Sequence, residues 1–321
     1  MAKLLVAKSD LNKPIGFLNL VKPGGITSHD LVNAVRKITG IKQVGHSGTL
    51  DPMAQGVMVI GLSKACKLIQ FLPDDKTYVA EVLFGTSTDT DDIEGKVINE
   101  QVDQKMLQKI SSTDIGSPLK TFLGKIEQIP PAYSAIKING VKMYEMARKG
   151  QSLAADAIKP RRVEVFSIDT LSFENPVLQL RISCSSGTYI RSIARDLGEM
   201  LKVGACLKSL LRERVGTFNL KEAITIDQFK ILWQLENGQQ ENIQAIMSGA
   251  NAINVPSHKL DQEILLRLVN GQLLDEQSLN TDKRGLFMAC DQKREICLVL
   301  VQDGKMKAQV VLVSAEQLNS D

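Results

Sequence analysis

The chain has 321 residues, 43% of them hydrophobic and 23% charged, so it can bury a substantial core and has room for about two domains. Its five cysteines are odd in number and contain no C-x-x-C, and with only three histidines no zinc-ligand spacing arises. No apolar run reaches membrane-spanning length and the N-terminal apolar stretch is too short for a signal peptide, so a cytoplasmic protein with reduced thiols and no membrane partner is expected.

GFLNLVKP (16–23) reads as a strand, followed by a helix capped by Thr27 or Ser28. Leu31, Val32, Val35 and Ile38 fall on one face of that helix, and Gly40 stops it. GVMVIGL (56–62) has the composition of a buried strand, SKACKLIQFL (63–72) of a short helix, and KTYVAEVLFG (76–85) of an alternating strand. A polar loop, GTSTDTDDIEG, covers 85–95. Residues 103–114 read as helix and KTFLGKIEQIP (120–130) as strand. Asn139-Gly140 marks a hairpin. RRVEVFSIDTLSF and PVLQLRISCS give two more strands, and TYIRSIARDLGEML (188–201) an amphipathic helix. Residues 237–256 have the Gln, Asn and Gly content of a boundary. Beyond it a hairpin centred on Asp303-Gly304 marks a small β-rich domain. Hairpins mixed with helices predict an α+β fold on a largely antiparallel sheet, with domains at 1–250 and 251–321.

The net charge of +3 hides an uneven distribution. Residues 1–50, 142–162 and 191–221 are basic, whereas 74–103 carry nine acids against Lys76 and Lys96. Segregation of this kind suits a polyanionic partner, although on charge alone solvated faces are the simpler account. Asp51 sits in GHSGTLDP (45–52), directly before the buried strand. An Asp before Pro is commonly a turn-former, so that stretch alone leaves its role open. Asp89, Asp91 and Asp92 form a D-x-D loop of the kind that holds a divalent cation in nucleotide-sugar transferases, or one that is simply solvated.

KPGGITS (22–28), GHSGTLDP (45–52), KTY (76–78), GTSTDTDDIEG (85–95), PPAYSAIKINGVKMYEMARKG (130–150) and SSGTYIRSIARDLG (185–198) occur in one order. Together they resemble the TruB family of bacterial tRNA pseudouridine synthases, which isomerise the T-arm-loop uridine at position 55. The resemblance implies the pseudouridine synthase fold with a small PUA-like RNA-binding domain at the C-terminus. It also implies tRNA (the T-arm stem-loop) as partner, a monomer without an obligatory protein partner, and no cofactor or metal. By resemblance Asp51 is the nucleophile, and Arg191 the guanidinium that keeps it ionised against desolvation. Tyr78 stacks on the target base and handles a proton. Tyr189 and Leu210 wall the pocket, and His46 fills the space left by the flipped base. Lys22 and the basic stretch 142–162 hold phosphates, and Asp92 contacts the RNA side. Val21, Ser186, Leu211 and Glu213 depart from the family pattern at the edges of these motifs. An RNA-binding or chaperone protein on the same fold, with catalysis dispensable, is the other reading these segments allow.

Overall fold

The computed structural model describes residues 13–98, 104–134, 137–138, 141–142, 159–235, 245–279 and 285–319. The N-terminal stretch, Asn139-Gly140, most of the basic stretch 142–162 and the first half of the boundary segment 237–256 lie outside the described residues. The chain divides into two compact units. One comprises Met1–Pro52, Gly56–Pro73 and Gly216–Asp321, the other Met53–Gln55 and Asp74–Val215.

In the first unit β1 (Gly16–Lys22), β2 (Val44–His46) and β3 (Gln55–Leu62) pair antiparallel, with β3 partnering both of the others. β3 is buried without interruption from Gly56 to Leu62, as its unbroken apolar run requires of a strand covered on both faces. Helix Ser28–Thr39 is capped by Thr27, whose hydroxyl accepts from Asp30 N while Asp30 Oδ2 accepts from Thr27 N. This reciprocal box satisfies two otherwise unpaired amides. Leu31, Val32 and Val35 are buried, and Gly40 (φ 68°) ends the helix. The short helix expected over 63–72 is a 3-10 helix, Ser63–Phe71. It turns tightly off the end of β3, with the Cys66 thiol donating to Gly61 O at 3.2 Å.

The second unit contains β4 (Lys76–Phe84), β5 (Gly124–Gln128), β6 (Lys137–Ile138), β7 (Val141–Lys142), β8 (Arg161–Glu174), β9 (Val177–Cys184) and β10 (Ala205–Val215). Five of these form an antiparallel sheet in the order β10-β4-β9-β8-β5. β6 and β7, on either side of Asn139-Gly140, pair antiparallel. The helix expected over 103–114 is two helices, Gln104–Lys109 and Ser112–Lys120. Ser111 and Asp114 form a second capping box that restarts the chain. Its last turn closes through Thr121 and Phe122, so β5 begins only at Gly124. β10 had no counterpart in the sequence reading, because ACLKSLLRERV breaks its apolar pattern with charges, one of which, Arg212, is almost fully buried.

Helix Ile190–Met200 lies on β10 through Gly198, where a Cβ would collide with the backbone of Gly204 and Ala205. That close approach explains the glycine in RDLG.

The C-terminal part of the first unit adds β11 (Phe218–Asn219), helix Ile226–Leu235, and β12 (Ile246–Met247), which extends β1 antiparallel. β13 (Ser257–Lys259), β14 (Leu274–Asp275), β15 (Gly285–Cys290), β16 (Glu295–Gln302) and β17 (Lys305–Val311) then form a separate sheet in the order β13-β15-β16-β17-β14. Asp303 and Gly304 both take positive φ (54° and 71°) at the β16–β17 turn, the geometry that makes Asp-Gly a hairpin signal. An α+β fold with a β-rich C-terminal domain, as the sequence predicts, is what the chain adopts. No described helix is long and apolar enough to cross a membrane.

Candidate active site

Asp51, His46 and Lys22 belong to the first unit; Tyr78, Asp92, Tyr189, Arg191 and Leu210 belong to the second.

In the first unit, the residues on both sides of Asp51 are tied to the KPGGITS segment. The buried Ser28 hydroxyl accepts from Leu50 N at 2.9 Å and donates to Leu50 O at 3.0 Å. Across Asp51, Pro52 O accepts from Gly25 N (2.9 Å) and from the Lys22 ammonium (3.0 Å). Lys22 is completely buried and also donates to Pro23 O (2.8 Å) and Ile26 O (2.7 Å). Three donors therefore meet three backbone carbonyls, and Lys22 has an internal structural task where the resemblance implied a phosphate contact. A buried ammonium is tolerable only with such partners. The two motifs are thus one device: the first segment brackets the carboxylate-bearing loop of the second. His46 ends β2, with its Nδ1 accepting from Gly48 N at 3.3 Å.

In the second unit, Arg191 is the second residue of helix Ile190–Met200 and is 4% exposed. Its guanidinium donates to Thr90 O and Tyr133 O, both at 2.9 Å, and lies 3.4 Å from Asp92 Oδ2. Asp92, also buried, accepts on its other oxygen from the Thr90 hydroxyl (2.7 Å) and from Glu94 N (3.1 Å). One turn further along the helix, Arg195 pairs with Asp91 at 2.9 Å and with Asp196 at 2.8 Å, and donates to Ile129 O at 3.0 Å. Burial pushes the Asp91 carboxyl above its ordinary range, and Arg195 followed by Arg191 opposes that rise. Asp89 Oδ1 accepts from Lys96 N. The acidic loop is therefore held by two helix arginines and its own backbone. This occupation differs from both the solvated loop and the cation site that D-x-D suggested. Among the described residues no group of three or more His, Cys, Asp and Glu is arranged to hold a metal ion.

Tyr78 lies on β4, 7% exposed, opposite Arg212 on β10 and Ile182 on β9. Leu210 stands opposite Ala80, two residues along, so the period of two puts Tyr78 and Leu210 on one sheet face. Tyr189 precedes the arginine helix. Its peptide is clasped by the buried Gln128 side chain, which accepts from Tyr189 N (3.0 Å) and donates to Tyr189 O (3.3 Å). Lys76, at the start of β4, donates to Ser186 Oγ at 3.1 Å. Burial, then Arg212, lowers the Lys76 pKa. A lysine at 186 would bring a second cation beside Lys76; serine accepts from it instead.

Comparison with known proteins gives these residues a common context. Residues 36–190 match the family described as TruB family pseudouridylate synthase (N terminal domain), and residues 191–253 match the tRNA pseudouridylate synthase B C-terminal domain. A protein of Acaryochloris marina named tRNA pseudouridine synthase B is 41% identical over 93% of this chain and 99% of its own. One of the same name from Trichormus variabilis is 43% identical over 75% of this chain and 81% of its own. The chain belongs to the TruB pseudouridylate synthase family. Its fold also resembles a chain in the crystal structure of a Cbf5-Nop10-Gar1 complex, with a TM-score of 0.68, 25% identity, and coverage of 97% of this chain and 88% of that one. In this synthase four site residues escaped the sequence reading: Ser28, Thr90, Gln128 and Arg195. Each has a partner 22 or more residues away, Thr90 through its carbonyl to Arg191. Only Ser28 left a trace, as a polar residue beside a helix start that Thr27 already caps.

Proposed function

We propose that this synthase isomerises the T-arm-loop uridine (position 55) of tRNA to pseudouridine, with Asp51 as the nucleophile. The reaction breaks the bond between uracil N1 and ribose C1′ and joins C5 to C1′; the C5 proton leaves and N1 gains one. Its balance needs no oxidant, group donor or energy source. What supports the assignment of Asp51 is the double fastening of its neighbours, Leu50 and Pro52, to the 22–28 segment. A carboxylate on so constrained a backbone is pre-positioned, and positioning lowers barriers to attack. The substrate assignment rests on relatives named tRNA pseudouridine synthase B.

In this reading Arg191, itself braced by Asp92, faces the nucleophile, and Tyr78 stacks on the flipped base and handles a proton. Tyr189 and Leu210 form apolar walls, and His46 occupies the vacated stack. Flipping a base costs a few kcal/mol, which these contacts offset. Residues 1–250 carry the chemistry and residues 251–321 form the small RNA-binding domain. The enzyme acts as a monomer without a cofactor or partner chain.

The deciding experiment is tritium release from tRNA labelled at uridine C5, with Asp51→Asn beside the parent protein. The parent releases label without added cofactor and Asp51→Asn binds tRNA but releases none. Turnover by Asp51→Asn above a trace would remove Asp51 from the nucleophilic role.

A further inference from the structure

At the opposite end of β1 and β3 from Asp51, the first unit contains a cavity of about 500 Å³. Lys22, whose ammonium reaches the Asp51 loop, ends β1, whereas Ile15, immediately before Gly16, lines this cavity. Seven residues of strand put the two ends roughly 20 Å apart. The cavity is therefore too far from Asp51 to hold the reacting nucleotide.

Its wall is strongly basic. Lys13, Lys42, Lys64, Lys293 and Arg294 line it against one acid, Glu295. That acid is already engaged: its two oxygens accept from Gly249 N (2.7 Å) and Ala250 N (2.8 Å). Lys64 Nζ is steadied by Gln317 Oε1 at 3.2 Å, and the Arg294 guanidinium donates to Gln317 O at 3.1 Å. Burial, with Lys67 nearby, lowers the Lys64 pKa, and Arg294 also pairs with Asp291 at 3.4 Å. Ser63 also lines the cavity, at φ 51°, and its buried hydroxyl has no hydrogen-bond partner among the described residues. A concave space of this size with a cationic rim suits a phosphate ester.

We infer that this cavity binds a phosphodiester of the substrate RNA outside the T-arm, as a second anchoring site. The inference rests on the tRNA reading above and adds a subsite to it. Phosphate contacts position an RNA without specifying its sequence, so the site would set the orientation of tRNA relative to Asp51.

The test compares full-length tRNA with an isolated T-arm hairpin, measuring Kd over a range of salt concentrations. The proteins are the parent, Lys64→Gln, and a Lys42→Gln/Lys293→Gln pair at two exposed positions, where folding is not at stake. Each cation contacting phosphate contributes about one unit to the slope of log affinity against log salt. The pair is expected to bind tRNA about tenfold more weakly at 0.1 M salt, with a slope lower by about two. Lys64→Gln should lower it by about one, and hairpin binding should not change. An unchanged slope on tRNA overturns the proposal. So does an equal loss on tRNA and hairpin, which places these lysines on the T-arm. AMP serves as the free-nucleotide probe: saturable binding that the variants abolish while tRNA affinity stays intact assigns the cavity to a nucleotide and overturns the RNA assignment. Failure of the parent to make pseudouridine in tRNA, with the slopes behaving as stated, would defeat the functional reading and leave the anchoring site standing.

Discussion

Ser28→Ala removes one hydroxyl and leaves two buried peptide groups of Leu50 without it, next to Asp51. Ser28 and Leu50 are each only 4% exposed, so water cannot replace the lost partner unless the loop opens. A buried donor or acceptor left unsatisfied costs about 1–3 kcal/mol. Two such groups at the lower bound give about 2 kcal/mol, roughly a thirtyfold shift in the equilibrium between closed and opened loop. The helix keeps its start, because Thr27 and Asp30 form its capping box independently of Ser28. The effect should therefore be local. Hydrogen exchange of a peptide covering residues 45–55 reads it directly: protection at the Leu50 amide should fall about thirtyfold, with helix 28–39 unchanged. Single-turnover tritium release should fall in parallel while affinity for a T-arm hairpin holds, since a displaced carboxylate affects reaction more than binding. Unchanged exchange at 45–55, or full activity with the loop demonstrably open, would refute the idea that this bracket positions Asp51.

Arg191→Met keeps much of the stem volume but leaves Asp92 and two carbonyls without their guanidinium. Breaking a buried pair costs about 3–5 kcal/mol of folding stability, which urea melts should show. Because Arg191 favours the charged nucleophile in the proposed reading, turnover should fall near neutral pH, and a single-turnover pH–rate profile should show partial recovery as pH rises. Equal slowness at every pH would assign the loss to positioning alone. Arg195→Gln, which separates helix 190–200 from Asp91 and Ile129, should lower the rate less than Arg191→Met. An equal or larger loss would show that the acidic loop depends on the outer pair. Burial pushes Cys184 and Cys206 up to about 11 and Cys297 to about 12. Raised folded values mean that the unfolded chain releases its thiol protons first, so stability is constant below about 9 and declines as pH rises towards 11–12. Urea melts at pH 8 and pH 10 check this: an equal midpoint at both would contradict it.

Much of the site was legible because its motifs are local. The glycine-flanked Asp51, the KTY strand and the TYIR helix each declare themselves within a few residues. The partners of those residues were not legible. Asp92 and Arg191 lie 99 positions apart, and nothing in TDTDD distinguishes a loop clamped by a helix from one that is solvated. The enclosure of Lys22 was hidden for a related reason: it depends on the return of the chain at Pro52, 30 residues further on. β10 was hidden because Arg212 occupies a buried strand position where a pattern rule expects an apolar residue. The hairpin at Asp303-Gly304 was readable because both residues must take positive φ, a demand that few sequences meet.

The enclosure of Lys22 also limits which substitutions the motif can accept. Its ammonium carries three donors that rotate freely about the end of a flexible stem, and here they converge on three carbonyls from two separate stretches of chain. Arginine is the nearest residue in charge, yet its donors lie in one rigid plane and diverge. It is also bulkier at a position with no exposure at all. A genetic screen at codon 22 should therefore treat arginine as harshly as a neutral residue. By the usual scales of chemical similarity the conservative change would be among the damaging ones.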